Sequence, residues 1–472
     1  MKYALIALIA GLLWSCSTVK HVPEGEYLLN NVKIKVETDS TDCGKEVEPS
    51  SLVNYLRQHP NHKVLGFLKL QLATYNLSGR DSTKSVNRWL RRLGQAPVIY
   101  DEALTSQSLR QLRLALVNRG YTDAIVSVDT FARPDKKKID LTYRVSPGCP
   151  HVVRMLNYDI ADEAISKAIM ADYDKITLQQ GMYFDRNMLE AERVAITERL
   201  HNKGYYEFVK DYITFVADTS ADSKLIDLTM KVRPPYRPDG TPGSITDLHK
   251  RYIVNKVYIV TDAENYDINS ATLPADADSV NYRGVTVVYG QDRYLRPGAL
   301  EEKVFLQPGS IYSENDVNRT YEALSRLNIL KYVNIVMRRA PGELDGDGLL
   351  NAWIYVSRTK KQGVSFELEG TNSEGDLGFG AGVTYQHRNL WRRSEMLTAK
   401  IRTSYESISG KLEGLINNRY TEVSTDIGLT LPRFEFPFLS RDFKRKVKAT
   451  SEVAVTFNYQ ERPEYTRIIA GA

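Results

Sequence analysis

Apolar and polar positions repeat one arrangement three times between residues 98 and 336. In each copy an aromatic residue precedes a segment whose apolar residues recur at helical spacing, which predicts an amphipathic helix. A tyrosine then begins a segment of alternating apolar and polar residues, which predicts a strand. A leucine stands five residues before that tyrosine in every copy. The pairs are Leu116 and Tyr121, Leu200 and Tyr205, and Leu327 and Tyr332. The segments 98–126, 182–209 and 310–336 therefore predict a repeated structural module.

Further strand-like runs flank each copy. The opening runs are Tyr27–Val36, Val152–Tyr158 and Tyr252–Val260, and the closing runs are 137–145, 224–232 and 349–356. The first two closing runs share the letters Ile-Asp-Leu-Thr. The predicted order is strand, helix, helix, strand, strand, which is a compact α+β module. The pattern also predicts helix N-caps at Asp185 and Ser313 and left-handed helix ends at Gly120 and Gly204.

Strict alternation returns beyond residue 363 and persists through five consecutive runs. In the first of them Val364, Phe366 and Leu368 alternate with polar side chains. Alternation alone also fits a soluble sandwich, but runs of roughly nine to eleven residues that end in tyrosines favour a transmembrane β-barrel. Only five or six strands fit before Ala472, so we expect an incomplete barrel.

Three stretches lie outside the repeat. The first copy carries an insertion near 60–97, and the third carries a polar stretch, 262–281, followed by strand-like residues at 283–290. Residues 233–250 hold four prolines and two glycines and predict a linker, either a hinge or a fixed extended connector.

The first residues predict an exported lipoprotein. Lys2 precedes an eleven-residue apolar run, Ala4–Trp14, which is too short to span a membrane as a helix. The residues Leu13-Trp14-Ser15-Cys16 are similar to a bacterial lipobox, in which the cysteine is acylated, for example with palmitate. The alternative is an ordinary secretory signal peptide with a chance cysteine. No acidic cluster follows Cys16, which favours a periplasm-facing anchor.

Composition narrows the function classes. The net charge is +5 from 63 basic and 58 acidic residues, a balance that argues against nucleic-acid binding. Tyrosine is abundant, with 29 Tyr against 13 Phe, as suits surfaces that are half apolar and half wet. The seven histidines are scattered, and "GFGAG" at 378–382 lacks the rest of a dinucleotide motif. We therefore expect no enzymatic activity, no cofactor and no metal site.

The repeats, together with "VPEGEYLLNNVKI" (22–34) and "HPNHKVLGFLKLQLATYNL" (59–77), resemble POTRA domains. These are the periplasmic modules that precede the barrel in outer-membrane assembly proteins of the BamA and TamA superfamily. With the lipobox cysteine, the resemblance extends to the TamL-type lipoproteins of Bacteroidota. The expected fold is α+β POTRA repeats followed by the N-terminal part of an antiparallel transmembrane β-barrel.

The resemblance implies the following domains. They are a signal peptide (1–15), a lipidated linker (16–26), POTRA-like domains at 27–148, 149–235 and 251–360, a linker at 236–250 and the first barrel strands at 361–472.

The resemblance also implies a function in the outer membrane, with the POTRA domains in the periplasm. Unfolded outer-membrane clients would add a strand to the sheet edges at 121–132, 206–218 and 332–339, and Val364, Phe366 and Leu368 would mark a lateral seam. The implied partners are a TamB-like periplasm-spanning protein and outer-membrane lipid, with lipid transport as a further activity. Alternatives are a two-partner-type secretion pore for one passenger, or a barrel-anchored surface antigen.

In the POTRA topology the first and third strands run parallel and adjacent. Cys43 follows the first strand of the first module and Cys149 follows its third. The resemblance therefore places both cysteines at the same end of the sheet, where an oxidising compartment permits a disulfide; the alternative is two isolated, semi-buried cysteines.

Overall fold

The structure is a computed structural model. It describes residues 18–37, 46–64, 66, 68–79, 81, 83–219, 224–237, 240, 241, 243, 244, 246–265, 277–290, 292–344, 346–373, 376–407, 419–435, 438, 440, 443, 447, 449–462 and 465–472. The described residues divide into two compact units. One contains the chain up to Glu163 with Met170–Ala195 and Lys210–Arg233, and the other contains Ala164–Ile169, Ile196–Val209 and everything from Pro234 onward.

The first module is a three-stranded sheet with helices. Strand β1 runs parallel to the central strand β3, and β2 runs antiparallel to β3 at the edge. Alternate residues of β3 are buried, and they form one core with Leu112 and Leu116, which lie one helical turn apart. The elements are β1 (Leu28–Val36), a 3-10 helix (Pro49–Tyr55), α1 (Leu70–Leu77), α2 (Ser85–Leu93), α3 (Glu102–Asn118), β2 (Ile125–Arg133) and β3 (Lys138–Ser146).

The first predicted helix of this module is thus a short 3-10 helix, and the insertion supplies α1 and α2.

The second module repeats the topology. Its strand order is β4-β6-β5, with β4 parallel and β5 antiparallel to the central β6. Its elements are β4 (Val152–Ile160), α4 (Glu163–Met170), α5 (Arg186–His201), β5 (Ile213–Thr219) and β6 (Leu225–Val232). The parallel pairing of first and third strands is therefore confirmed in both modules.

The third module enlarges the same plan to five strands in the order β10-β11-β7-β9-β8. Strand β7 runs parallel to β11, as first and third strands do in the other modules. The strand-like residues at 283–290 form β9, and part of the stretch that we expected to be only polar forms its partner β8. The elements are β7 (Tyr252–Val260), β8 (Asp278–Tyr282), β9 (Val285–Tyr289), α6 (Pro297–Glu301), α7 (Glu314–Ser325), β10 (Leu330–Leu344) and β11 (Asp347–Arg358).

A six-stranded antiparallel sheet follows, in which each strand pairs with the next along the chain. Its strands are β12 (Gln362–Ser373), β13 (Asp376–His387), β14 (Met396–Ser407), β15 (Arg419–Leu431), β16 (Ser451–Glu461) and β17 (Thr466–Gly471). The five alternating runs of the sequence are confirmed as strands, and β17 is a sixth. Within the described ranges, no helix combines the length and the apolar character needed to cross a membrane.

The constant spacing of leucine and tyrosine reflects a helix end. The amide of Tyr121 donates to the carbonyl of Leu116 at 3.0 Å, and Tyr205 repeats this bond to Leu200 at 3.1 Å. These six-to-one bonds close Schellman motifs, which require a left-handed residue immediately before the tyrosine. Gly120 has φ 91° and Gly204 has φ 101°, so the predicted left-handed helix ends are confirmed.

The expectation that these tyrosines open strands was wrong for the first two copies. Tyr121 and Tyr205 are buried in the helix-ending turns, and the following strands begin only at Ile125 and Ile213. The third copy has Lys331 instead of glycine, and there Tyr332 does lie in a strand, β10. The glycine before the tyrosine therefore decides whether the helix ends in the Schellman motif.

One of the two predicted N-caps is confirmed. The Asp185 side chain accepts a hydrogen bond from the Asn187 amide at 2.8 Å at the start of α5. The prediction for Ser313 was wrong, because its side chain makes no capping bond. Instead, Asn202 Oδ1 accepts from the Asn315 amide at 2.7 Å, so a residue distant in sequence caps α7.

Candidate functional site

The two faces of the six-stranded sheet differ sharply in polarity. Pairing aligns apolar residues in rows across the strands, for example Phe366, Val383 and Ile401, and many side chains of this face are exposed. Phe366 is 77% exposed and Leu368 is 81% exposed. An apolar surface of this extent is unusual on a soluble monomer and indicates an apolar environment or partner. The exposed residues of this face include Val364, Phe366, Leu368, Phe379, Val383, Ile401, Ile427, Val453, Val455 and Phe457.

The opposite face carries ion pairs that cross a whole strand. Glu367 on β12 pairs with Lys400 on β14 at 3.2 Å, and Glu369 pairs with Arg402 at 2.5 Å. Strand β13 lies between them and presents Gly380 and Gly382. A Cβ at Gly382 would lie 3.5 Å from the Glu367 carboxylate. The glycines therefore leave the space in which charged side chains of the flanking strands meet.

The first strand of this sheet has a free edge. Among the described residues, β12 pairs only with β13, so its other side presents backbone N–H and C=O groups without a strand partner. The predicted seam residues Val364, Phe366 and Leu368 all lie on this strand, on its exposed apolar face. The structure therefore brings these three residues together at an edge.

The second strands of the modules are edge strands, as predicted. Strands β2, β5 and β10 each end their sheet. Apolar side chains on them remain in contact with solvent, with Ile125 68% exposed and Phe131 64% exposed. Such an edge can accept an extended peptide as an additional strand.

The opposite edge of the first sheet, strand β1, is covered by the segment around Val98 and Tyr100. The Leu29 amide donates to the Val98 carbonyl at 2.8 Å, and the Tyr100 amide donates to the Tyr27 carbonyl at 2.9 Å. The second module repeats this cover, since the Val153 amide donates to the Met182 carbonyl at 2.8 Å. The aromatic residue that begins each sequence repeat thus belongs to a segment that covers the first strand. This cover leaves β2 and β5 as the accessible edges of their sheets.

A turn between β13 and β14 packs into the third module. Asn389 is 4% exposed. Its side-chain Nδ2 donates to the Tyr294 carbonyl at 2.7 Å, and its Oδ1 accepts from the Ser394 backbone amide at 2.9 Å. The Glu395 carboxylate accepts from the amides of Trp391 and Arg393 at 3.0 and 3.1 Å. The turn is therefore fixed to the third module by buried polar groups that are satisfied on both sides.

The third module provides a rigid receptor for this turn. The Tyr294 hydroxyl donates to the Thr261 carbonyl at 2.8 Å, and burial raises the pKa of this tyrosine, so the phenol stays protonated. The Ser394 hydroxyl accepts from the Ile329 amide at 3.3 Å. The sequence did not predict this contact, because "HRNLWRRSE" has the composition of an ordinary charged turn. The left-handed backbone of Arg392 and Ser394, with φ of 66° and 68°, appears only in the structure.

The predicted cysteine sites are described in part. Cys16 and Cys43 lie outside the described residues. Cys149 is disulfide-bonded. Its partner is outside the described residues, so the pairing of Cys43 with Cys149 stays a prediction. Within the described part of the chain, no group of three His, Cys, Asp or Glu side chains is arranged to hold a metal ion.

Residues 157–234 match the POTRA family, which is described as a surface antigen variable number repeat. A comparison with curated proteins finds no match. Similar solved structures include POTRA domains 3–5 of BamA from Haemophilus influenzae, with 16% identity over 71% of this chain and 99% of that chain and a TM-score of 0.33.

Two longer proteins are also similar. BamA from Haemophilus ducreyi lacking POTRA domains 1–3 shows 10% identity over 67% of this chain and 52% of that chain, with a TM-score of 0.33. CdiB from Acinetobacter baumannii shows 10% identity over 68% of this chain and 57% of that chain, with a TM-score of 0.26. The present chain spans about half the length of these two proteins. Residues 157–234 thus form a POTRA domain, the flanking modules repeat its strand order, and an antiparallel six-stranded sheet follows them.

Proposed function

We propose that this protein assembles or translocates other proteins at the outer membrane. The observation that carries the proposal is the uncovered apolar face of the six-stranded sheet, opposite a face of ion pairs and directly after POTRA-type modules. A sheet with one apolar and one charged face suits a barrel wall, with lipid outside and water inside. The modules would then stand in the periplasm.

In this proposal, clients bind by strand addition. Backbone pairing along β2, β5 or β10 tolerates many sequences, which suits a protein that handles different unfolded chains. Strand β12 would act as one side of a lateral seam, and its free edge would pair with the first strand of an entering client. The turn that fixes β13 and β14 to the third module would hold this seam in a constant position relative to β10.

We further propose a TamL-type role. The lipobox at Leu13–Cys16 supports an acyl anchor on Cys16. The resemblance of the repeats supports a TamB-like periplasm-spanning partner and supply of lipid to the outer membrane. No enzymatic step is part of this role.

Site-specific photo-cross-linking tests the use of the strand edges. Benzoylphenylalanine is placed at Ile125 on β2, Val216 on β5 or Tyr332 on β10 in the full chain. We expect adducts with unfolded outer-membrane proteins at these positions. Trp89, which is 60% exposed but lies on helix α2, is the matched control. Equal adducts at Trp89 and at the edge positions would contradict strand addition.

Depletion of the full-length protein tests the broader role. Loss of many outer-membrane proteins, or altered lipid asymmetry, supports assembly. Loss of a single secreted passenger would instead show a dedicated secretion pore, and an unchanged envelope would exclude both. Cross-linking from the third module to a TamB-like protein would support the proposed partner.

A further inference from the structure

A cavity of about 520 Å³ lies beside the helices of the third module. Residues of α6 and α7 form one side, and the described residues at the end of β15 and before β16 form the other. It shares only Arg393 with the turn described above. Neither strand addition nor the seam uses this cavity.

Basic side chains outnumber acidic ones around the cavity, with six against four. Glu302 and Glu435 both pair with Arg433, and Glu301 lies 4.0 Å from Arg283. The six basic residues are Arg283, Lys303, Arg319, Arg326, Arg393 and Arg433.

Among the residues that the structure describes, Lys303, Arg326 and Arg393 form no ion pair with a carboxylate. Lys303 is half-buried, and its ammonium donates to the neutral Pro432 carbonyl at 2.6 Å. Burial lowers the pKa of Lys303; the Glu302 charge opposes this shift, and the charges of Arg433 and Arg326 add to it. Three cations that face one cavity without an ion-pair partner can bind an anionic ligand, even though four glutamates also line the cavity.

Backbone strain places another cation at the rim. Arg283 has φ 53° in the tight turn between β8 and β9, a conformation that favours glycine or asparagine. Its guanidinium lies over the Tyr282 ring, 5.3 Å from the centroid, so the side chain is held at the cavity. Left-handed non-glycine residues often mark functional sites.

Apolar side chains form another part of the lining. Phe305 packs under the Arg319 guanidinium, which is 4.0 Å from the ring centroid, and Ala323, Leu327 and Val447 continue this surface. A ligand that fits both parts has an anionic group joined to an apolar body.

We propose that this cavity binds the phosphate headgroup of an anionic phospholipid. The inference rests on the proposed membrane-embedded sheet, because strands β15 and β16 then enter the bilayer beside the cavity and bring it to headgroup level. Guanidinium groups match phosphate oxygens in geometry and charge, and basic pockets next to membrane segments bind such headgroups. The apolar lining would contact the glycerol and the upper acyl chains.

Native mass spectrometry of the full chain in detergent tests the proposal. The probes are phosphatidylglycerol, phosphatidylcholine and inorganic phosphate. We compare the wild type with Lys303→Gln/Arg326→Gln/Arg393→Gln. The control Arg57→Gln/Arg110→Gln/Arg113→Gln removes three exposed charges from the first module. Because Lys303 is half-buried, Arg326→Gln alone is included as a variant that keeps the packing intact.

We expect the wild type and the control to retain phosphatidylglycerol at least tenfold more than phosphatidylcholine. The triple variant should lose this preference, and Arg326→Gln should reduce it several-fold. Equal retention of both lipids by the wild type would overturn the proposal, as would an unchanged preference in the triple variant. Binding of inorganic phosphate without phosphatidylglycerol would also overturn it, in favour of a free-phosphate site.

Vesicle flotation separates this proposal from the proposed function. If only the headgroup site is wrong, the wild type still floats with vesicles of phosphatidylcholine and of phosphatidylglycerol, equally and independently of the three cations. If the sheet is not a membrane element, the protein floats with neither.

Discussion

Two buried side chains hold the turn between β13 and β14 against the third module. Asn389 bonds to the backbone on both sides of the contact, and Glu395 bonds to two amides inside the turn. Both side chains are 4% exposed, so water cannot replace either one after truncation. These two side chains therefore contribute to holding the six-stranded sheet at the third module.

Glu395 offers a stringent test of this dependence. Glu395→Ala leaves the amides of Trp391 and Arg393 without their acceptor and should lower the free energy of unfolding by about 1–3 kcal/mol. Glu395→Gln keeps an oxygen at the position that accepts both bonds and should cost less than about 1 kcal/mol. Urea unfolding followed by tryptophan fluorescence measures both. Equal losses in the two variants would show that the carboxylate oxygen is not the anchor.

The shifted pKa of Lys69 predicts that the stability of the first module depends on pH. Burial, with the charges of Lys63 and Lys138, lowers the pKa of Lys69 from 10.5 to about 8. Between these values the unfolded chain binds more protons than the folded chain, so stability rises with pH across this window. Below about pH 8 the folded lysine is charged and the penalty is complete.

We expect the free energy of unfolding of the wild type to rise by on the order of 1 kcal/mol between about pH 8 and about pH 9.5. This figure allows for solvent screening of the half-exposed amine. Lys69→Met should remove this gain, whatever its effect on stability at neutral pH. Denaturation midpoints at the two pH values measure it. Parallel pH slopes in wild type and variant would refute the assignment.

At the scale of elements, α7 depends on a cap from elsewhere in the chain. Asn202 Oδ1 accepts the Asn315 amide, whereas Ser313 only donates its hydroxyl to Asn202 at 3.0 Å. Asn202→Ala should therefore cost about 1 kcal/mol of helix stability. Amide hydrogen exchange at Asn315 should then be roughly fivefold faster. The matched variant Ser313→Ala should change the free energy of unfolding by less than about 0.5 kcal/mol. A larger loss in that variant would show that Ser313 is the cap.

The six-stranded sheet has two faces that should respond differently to charge. Leu368→Arg places a cation on the apolar face, half-way along strand β12, and should make membrane insertion less favourable by about 2–4 kcal/mol. Ser404→Arg is the control on the other face, where pairing aligns Ser404 with Gly380 on one side and Glu422 on the other. Co-flotation with vesicles measures insertion. If both variants float equally, the apolar face does not contact lipid.

At the scale of the whole molecule, one covalent link is expected. Cys149 is disulfide-bonded, and the sequence contains only two other cysteines, Cys16 and Cys43. If Cys16 is acylated, peptide mapping under non-reducing conditions should recover a peptide pair that links Cys43 to Cys149. Such a link closes a loop of about 100 residues and should stabilise the first module by several kcal/mol. Recovery of Cys43 as a free thiol would rule out this pairing.

Local patterns in the sequence determined the elements and their order. Alternation predicted the strands of the modules and five strands of the following sheet, because one-sided burial imposes a period of two. The three copies predicted a repeated α+β unit, and their resemblance to POTRA domains implied the parallel first and third strands. Gly120 and Gly204 predicted the helix ends, because only a left-handed residue completes that hydrogen bonding.

Tertiary structure decided what distant residues do to one another. It replaced Ser313 with Asn202 as the cap of α7. It also brought Asn389 into contact with the third module and gathered Lys303, Arg326 and Arg393 around one cavity. None of these contacts has a period or a local spacing, because each joins groups that become neighbours only when the chain packs.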